Sequence, residues 1–468
     1  MSQSDNKLGL MSLTALVVGS IIGAGVFALP QNMAAVASPL AVMIGWAISG
    51  GGMIFLALTF QQLCVNKPEI STGVFGYAKA GFGDLIGFFS AWGYWLSAVV
   101  ANVSFLVIIF STLGLFFDTP QQVIFGDGTT WISIALSSLF VWGMYFLLLR
   151  GVQTAALINL LTTVAKLIPI FVLVVATIIA FKWEIFTLNF SHVAGDPSVS
   201  LMTQVKETML ITVWVFIGIE GAVILSTRAR VRKDVGRATV IGLLLTLVLY
   251  VLISLMSMGV ISTKELAHMQ NPSAAKVLES IIGPAGLYIV GIGLIISVCG
   301  AYLSWTMLAI ETPYTAAKDK MFPAIFSKTN KVGTPTFTLL LSSLIIQAIL
   351  LAVNVMDGGY DNLLNISSEM ILVPYLLVGA FALKQGRLDS IPVMAMFGGI
   401  ATVYGIWLLY ASGLHHLLSA SLLYFPGLIC YAVAKRQLGQ SWFVGGNRLI
   451  VLFLGVITCM AVWVLFKL

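Results

Sequence analysis

The sequence predicts an all-α protein that crosses a lipid bilayer many times. Three observations carry that prediction. Of the 468 residues, 59% are hydrophobic and only 9% charged, against roughly 25% charged in a soluble domain. The mean hydropathy of +1.02 over the whole length leaves no room for a large water-soluble module. Apolar runs at residues 8–28, 40–63 and 155–181 are each long enough to cross a hydrocarbon layer about 30 Å thick. Lipid offers no water to backbone N–H and C=O groups, so such runs must be helices. The first run is too long, too rich in glycine and too closely followed by others to be a cleaved signal peptide.

In chain order, thirteen spans are expected, starting near residues 9, 39, 84, 129, 152, 203, 236, 278, 336, 361, 391, 415 and 448. Only residues 412–416 separate the eleventh from the twelfth, so twelve spans is the alternative. The most polar connections are 189–205, 261–276 and 327–335; no hydrophilic domain and no low-complexity tract interrupts the pattern.

The sequence pI of about 9.0 would fit a nucleic-acid partner, but the placement of the basic residues excludes that reading. With the N-terminus in the cytoplasm, inner loops hold Lys67, Lys79, Arg150, Arg228, Arg230, Arg232, Lys233, Arg237, Lys318, Lys320, Lys328, Lys331, Lys384, Arg387, Lys435, Arg436 and Arg448. Outer loops hold only Lys182, Lys206, Lys264 and Lys276, with Lys467 at the tail. This is the positive-inside bias of a multi-pass inner-membrane protein. Cys64, Cys299, Cys430 and Cys459 lie in or beside apolar spans, with no metal-ligand spacing, and read as small hydrophobes. His192, His268, His415 and His416 read as solvated or interfacial loop residues. No metal and no cofactor is expected. A membrane enzyme is disfavoured because no span carries paired histidines or an acidic metal motif, and a channel because no pore-loop signature appears.

Two spans are interrupted by glycine. The first carries Gly19-Ser20-Ile21-Ile22-Gly23-Ala24-Gly25-Val26-Phe27 and the sixth Thr212-Val213-Trp214-Val215-Phe216-Ile217-Gly218-Ile219-Glu220-Gly221. Small residues at such spacing also suit close helix packing. However, three glycines and a serine within seven residues weaken a helix as well as smoothing one face. The two spans open two five-helix blocks at equivalent places, the arrangement that marks a transporter site near the membrane midplane. An offset of five spans, being odd, inverts the second block relative to the first.

The first motif, followed by Leu29-Pro30, resembles the first helix of the amino acid–polyamine–organocation superfamily. Residues 214–220 with Ala222, the loop 228–236, Ser304-Trp305-Thr306 and Val373-Pro374-Tyr375 are similar to the basic amino acid/polyamine antiporter family, closest to its arginine/ornithine antiporter branch. The likeness covers nearly the whole chain, and a thirteenth span suits that branch. It implies a 5+5 inverted-repeat, leucine-transporter-like fold with helices 1 and 6 broken. The first repeat would take residues 1–200, the second 201–385, and accessory C-terminal helices 386–468.

The resemblance also implies a site. An amino acid zwitterion carries a carboxylate and an ammonium, both costly to leave unpaired in hydrocarbon. Freed N–H groups at Gly23, Ala24 and Gly25 would take the carboxylate. Freed carbonyls at Ile21 and Ile217 would take the ammonium. Several relatives have serine where this chain has Ala24, which removes a hydroxyl contact. Ser97, Ala98, Asn102, Trp305 and Ser367 match the positions facing the substrate side chain.

Asn102 lies mid-span, where hydrogen bonding between helices is the competing role. Trp305 would stack on a guanidinium or ammonium by cation–π attraction, although hydropathy alone places it in an interfacial belt. Trp214 is expected to gate the substrate. Tyr94, Lys166 and Glu220 are the gating and coupling candidates. Glu220 borders the second break and could exchange protons or sense a cation, a permanently protonated structural acid being the alternative. Some superfamily members carry a lysine where symporters hold sodium, between helices 1, 5 and 8. Lys166 would fill that cleft and hydrogen-bond carbonyls near Gly19 to Ile22, unless it snorkels. Glu369, two residues from Ser367, is expected to face largely away from it.

The function this implies is exchange of cationic amino acids by alternating access, arginine for ornithine first. Exchange of a basic amino acid for its decarboxylation product (arginine/agmatine, lysine/cadaverine, histidine/histamine) and proton-coupled amino acid symport are the alternatives. The partners are small cationic amino acids or amines and the lipid bilayer, with room for a homodimer.

Overall fold

The computed structural model describes residues 9–70, 72–150, 155–193, 196, 198–220, 230–355, 359–443 and 445–465. Ala222, Arg228 and Lys467 lie outside the described residues. The described chain is helical throughout, with only isolated bridges in three loops.

The first span is broken as its glycines require. α1 (Leu10–Ile21) and α2 (Gly25–Val36) meet at 47° across residues 22–24. α3 (Pro39–Asn66) starts at the cap of Ser38, whose hydroxyl accepts from the Ala41 N–H, with proline at its first position. α4 (Val74–Phe82) is a short helix set between Gly73 and Gly83, both at positive φ. It leads into α5 (Asp84–Phe117), 34 residues and about 51 Å long at 1.5 Å per residue. α6 (Trp131–Leu149), α7 (Ala155–Ala180) and the single turn α8 (Trp183–Thr187) follow.

α9 (Leu201–Phe216) is capped by Ser200 and stops where Ile217 turns extended and Gly218 takes φ 106°. That left-handed backbone is open to glycine and strained for other residues. Next come α10 (Arg232–Met258), α11 (Thr263–Ala267), α12 (Ser273–Ile282) and α13 (Pro284–Lys318). The remaining helices are α14 (Thr336–Val355), α15 (Tyr360–Leu388), α16 (Pro392–Tyr424), α17 (Gly427–Gln437) and α18 (Asn447–Leu465).

Among the described residues nine helices are long and apolar enough to cross a membrane, or ten with the bent α1–α2 pair as one span. Three of the thirteen expected spans fall outside that measure for separate reasons. Side chains of the first part of α7 lie outside the described residues, leaving a shorter apolar piece, Lys166–Ala180. α9 has 16 residues and ends at its break. The expected eleventh and twelfth spans run on as residues 392–437, within which the chain turns at Gly413 (φ 81°). The eighth span begins at Pro284 rather than near 278, because residues 273–282 form a separate amphipathic helix ended by Gly283 at φ 75°.

α5 is the most buried span and α18 the least, so α5 is the axis and α18 lies at the rim, against α16. α5 packs on α13, α15 and α4, while α3, α1 and α7 pack around α10. The two breaks face one another between these groups: the Ser20 hydroxyl lies 2.9 Å from the Gly218 carbonyl.

Candidate functional site

The two breaks open on one cavity. Ser20, Ile21, Gly23, Ala24, Gly25 and Val26 line it from the first break, and Trp214, Val215 and Ile217 from the second. Phe105 of α5, Tyr250 of α10 and Trp305 of α13 complete the wall. The cavity is narrow, with room for about one water molecule in this conformation, so an amino acid enters only if the walls move apart.

α2 begins with no side-chain cap, so its first N–H groups have no partner within the helix. Glycine at position 25 is required by close approach. A Cβ there would stand 2.8 Å from both the Trp214 indole nitrogen and Val215 Cγ1. At Gly218 a Cβ would meet the Ser20 carbonyl oxygen at 2.6 Å. Gly23 is different: a Cβ would lie 3.8 Å from the Phe105 ring, an ordinary contact.

The carbonyls released by the first break are shared among named donors. The Lys166 ammonium, 1% exposed, donates to the Gly19 and Ile22 carbonyls, each at 2.7 Å. It points inward among the helices and does not reach for the interface. The Ile21 carbonyl accepts from the Tyr250 hydroxyl at 3.1 Å.

Trp305 is buried against the cavity, not placed in an interfacial belt. Its ring centroid is 6.1 Å from that of Phe105 in edge-on geometry, and Phe105 is 6.2 Å from Trp214. Three aromatic rings therefore flank the space. The Trp214 indole N–H donates to the Tyr360 hydroxyl at 3.1 Å. Tyr360 also lines a second, larger cavity of about 510 Å³ with Gln31, Asp127, Asn271 and Asp361. The Trp214–Tyr360 bond thus links a residue lining the narrow inner cavity to one lining this larger, more open cavity, the vestibule.

The other substrate candidates do not line the inner cavity. Ser97 donates to the Ser367 carbonyl at 2.8 Å and Ser367 to the Ser97 carbonyl at 2.9 Å, a reciprocal clasp between α5 and α15. Ala98 is fully buried beside them. Asn102, also fully buried, has neither amide atom hydrogen-bonded among the described residues. The helix-to-helix bond that competes for its role is not formed. A buried amide left in this state costs about 1–3 kcal/mol per group.

Glu220 is buried at the far side of the second break, where its two carboxylate oxygens accept from Tyr94 at 2.6 Å and Tyr375 at 2.8 Å. It joins α5 and α15 to the end of α9. Glu369 faces away from Ser367 as periodicity requires, and its carboxylate pairs with His416. The loop expected for His415 and His416 is corrected: both lie on α16, His416 half-buried against Glu369 and His415 exposed. Among the described residues no group of histidine, cysteine, aspartate and glutamate could hold a metal ion.

Sequence reasoning missed Ser20, Phe105, Tyr250, Tyr360 and Tyr375. Phe105 and Tyr250 lie inside apolar runs and Tyr360 at the edge of one, and nothing in the sequence sets them apart from core residues. Ser20 and Tyr375 stood inside quoted motifs, the available signal, but neither was assigned a role.

The sequence pattern of the amino acid permease family matches residues 8–434. A protein of Escherichia coli (strain K12), provisionally named an arginine/ornithine antiporter, is 52% identical over 433 residues, covering 92% of this chain and 93% of that one. The arginine/ornithine antiporter of Pseudomonas aeruginosa is 46% identical over 464 residues, 96% of this chain and 95% of that one. The arginine/agmatine antiporter of Chlamydia pneumoniae is 37% identical over 476 residues, 99% and 97% of the two chains. With most of its length matched both by the family pattern and by these relatives, this multi-pass membrane protein belongs to the amino acid permease family.

Proposed function

We propose that this chain is an antiporter of the bacterial inner membrane that exchanges cationic amino acids, arginine for ornithine, by alternating access and without chemical change to either. The observation that carries the reading is the convergence of two broken helices on one cavity walled by Trp214, Phe105 and Trp305. The names of the relatives from Escherichia coli and Pseudomonas aeruginosa support the substrate pair. Arginine/agmatine exchange is the second reading, favoured by the name of the Chlamydia pneumoniae relative.

In this reading residues 1–200 and 201–385 are inverted repeats, and residues 386–468 are accessory. The N-terminus is cytoplasmic, following the basic residues of the inner loops. The substrate carboxylate sits on the N–H groups of Gly23, Ala24 and Gly25, where an uncapped helix start favours negative charge. The α-ammonium is accepted by the Ile21 and Ile217 carbonyls. The guanidinium or side-chain ammonium extends between the aromatic rings, where cation–π attraction contributes about 0.5–2 kcal/mol. Once the helices part, Ser97, Ala98, Asn102 and Ser367 border the far end of that side chain, and the unpartnered Asn102 amide gains a partner.

Closure at the two ends is the work of different groups. Trp214 and Tyr360 form the lid toward the vestibule. Tyr94, Glu220 and Tyr375 tie the helices on the opposite side. Lys166 holds the first break at the place sodium occupies in related symporters, so exchange proceeds without sodium.

Counterflow in proteoliposomes tests the reading. Labelled arginine is expected to enter only liposomes preloaded with ornithine or arginine. Preference for agmatine as the internal substrate would support the second reading. Equal uptake into empty liposomes under a pH gradient would replace exchange with proton-coupled symport.

A further inference from the structure

We propose that Tyr250 is a substrate-positioning residue, whose hydroxyl fixes the Ile21 carbonyl as acceptor for the substrate's α-ammonium. The inference rests on the reading above that Ile21 takes the ammonium, and adds a residue from a helix that carries no break. Tyr250 is fully buried, yet lines the cavity between the two breaks.

The distribution of donors over the break leads to it. α1 ends at Ile21, and the carbonyls of a last helical turn have no N–H to accept from within the helix. The Lys166 ammonium takes those of Gly19 and Ile22. Ile21 is the one of these three that lines the cavity, and its donor is the neutral Tyr250 hydroxyl at 3.1 Å. A carbonyl oxygen has two lone pairs, so a single phenol leaves one available. A neutral donor steers that oxygen without bringing a positive charge that would repel an incoming ammonium.

The phenol is also held in place before any ligand arrives. Its ring packs 5.5 Å from Phe216 and 6.3 Å from Trp46. The Trp46 indole donates to Ser254, and the Ser254 hydroxyl donates to the Tyr250 carbonyl one turn back. α3, α9 and α10 thus fix the donor jointly. Holding a contact in its bound geometry beforehand lowers the ordering cost of binding.

The test compares two ligands on the purified full-length protein: arginine and 5-guanidinopentanoate, which is arginine without its α-amine. In Tyr250→Phe, arginine affinity is expected to fall about tenfold, the scale of one hydrogen bond, while affinity for the des-amino ligand changes less than twofold. The KM for arginine rises in step and the maximal exchange rate stays near wild type. Placing 4-aminophenylalanine at position 250 restores a donor and the arginine preference. If Tyr250→Phe does not purify as a single species, 4-fluorophenylalanine at the same position fills the volume without donating, and its arginine preference is read instead. Equal losses for both ligands, or no loss, would overturn the positioning role. Failure of the wild-type protein to bind arginine at all would instead overturn the underlying transport reading, and equal wild-type affinity for the two ligands its assignment of the ammonium to Ile21.

Discussion

Gly23 and Gly25 stand two residues apart in one motif, yet their surroundings assign them different tasks. A methyl group at 25 would press on an indole that is itself held by Tyr360 and on Val215. Overpacking of this kind costs about 1–3 kcal/mol. Gly25→Ala is therefore expected to lower the thermal midpoint by several degrees and to slow exchange, while Gly23→Ala stays near wild type in stability; thermal unfolding in detergent checks the pair. Equal midpoints would mean that the second break can yield to the methyl group. Trp305 offers a second test at this scale. Trp305→Phe keeps a ring beside Phe105 and is expected to weaken arginine binding modestly. Trp305→Ala removes the face altogether and is expected to cost about 1–2 kcal/mol, roughly five- to thirtyfold in affinity. Unchanged affinity in a monodisperse Ala variant would assign Trp305 to packing alone.

The informative elements are the broken helices, because a break leaves carbonyls and N–H groups that something else must satisfy. At α1 that is a lysine from α7. Its removal leaves the Gly19 and Ile22 carbonyls unpaired, at about 1–3 kcal/mol each. Lys166→Met is expected to reduce exchange at least tenfold in protein that still purifies, and wild-type exchange is expected to be indifferent to sodium. Near-wild-type rates in Lys166→Met would leave the lysine a packing role only. The proposed lid also joins two elements, since Trp214 at the end of α9 meets Tyr360 at the start of α15. Tyr360→Phe removes a bond worth about 0.5–1.5 kcal/mol. Release of bound labelled arginine is expected to speed up several-fold; an unaltered release rate would move the lid elsewhere.

Across the whole molecule, polar contacts gather at the two ends of the same helices. The end holding the vestibule carries a network in which Asn271 donates to the side chains of Gln31 and Asn32, and Asn32 to Asp361 at 3.0 Å. At the opposite end of α5 and α15, Lys79 donates to the Asp319 carbonyl at 2.8 Å, Lys384 to the Gly81 carbonyl at 2.6 Å, and Lys435 pairs with Asp84. There Lys67 lies 2.8 Å from Asp389. The Lys67 hydrogen bond, with one from Gln385, holds the Asp389 carboxyl below the usual carboxylate range. A lowered value means that this contribution is present at neutral pH and is lost only as pH falls through that value. Changes in exchange between pH 5 and 8 therefore do not arise at this pair. The proposed orientation predicts which end faces out. In a cysteine-free background on intact cells, Asp127→Cys is expected to react with an impermeant maleimide, and Lys384→Cys only after permeabilisation. The reverse pattern would invert the topology.

How far the sequence reached can be followed residue by residue. Composition and apolar length required a membrane-spanning helical chain, since hydrocarbon admits no unpaired backbone. Both breaks were legible too: the glycines of 19–25 and Gly218 stand in the sequence as residues that weaken a helix. The division between the eleventh and twelfth spans was legible at residues 412–416, where Gly413 turns, but the start of the eighth slipped, because hydropathy is blind to direction and Gly283 at φ 75° sets residues 273–282 apart as a separate helix. The pairing of buried polar groups, by contrast, is set by how the helices pack. Ser97 and Ser367 clasp each other, Asn102 has no hydrogen-bond partner among the described residues, and Tyr250 reaches Ile21 across 229 positions of sequence. Periodicity tells which face of a helix is apolar, but a tyrosine or serine on that face looks the same whether it packs or donates. The difference lies in the few ångströms that separate one helix from another, and packing across the whole bundle sets that distance.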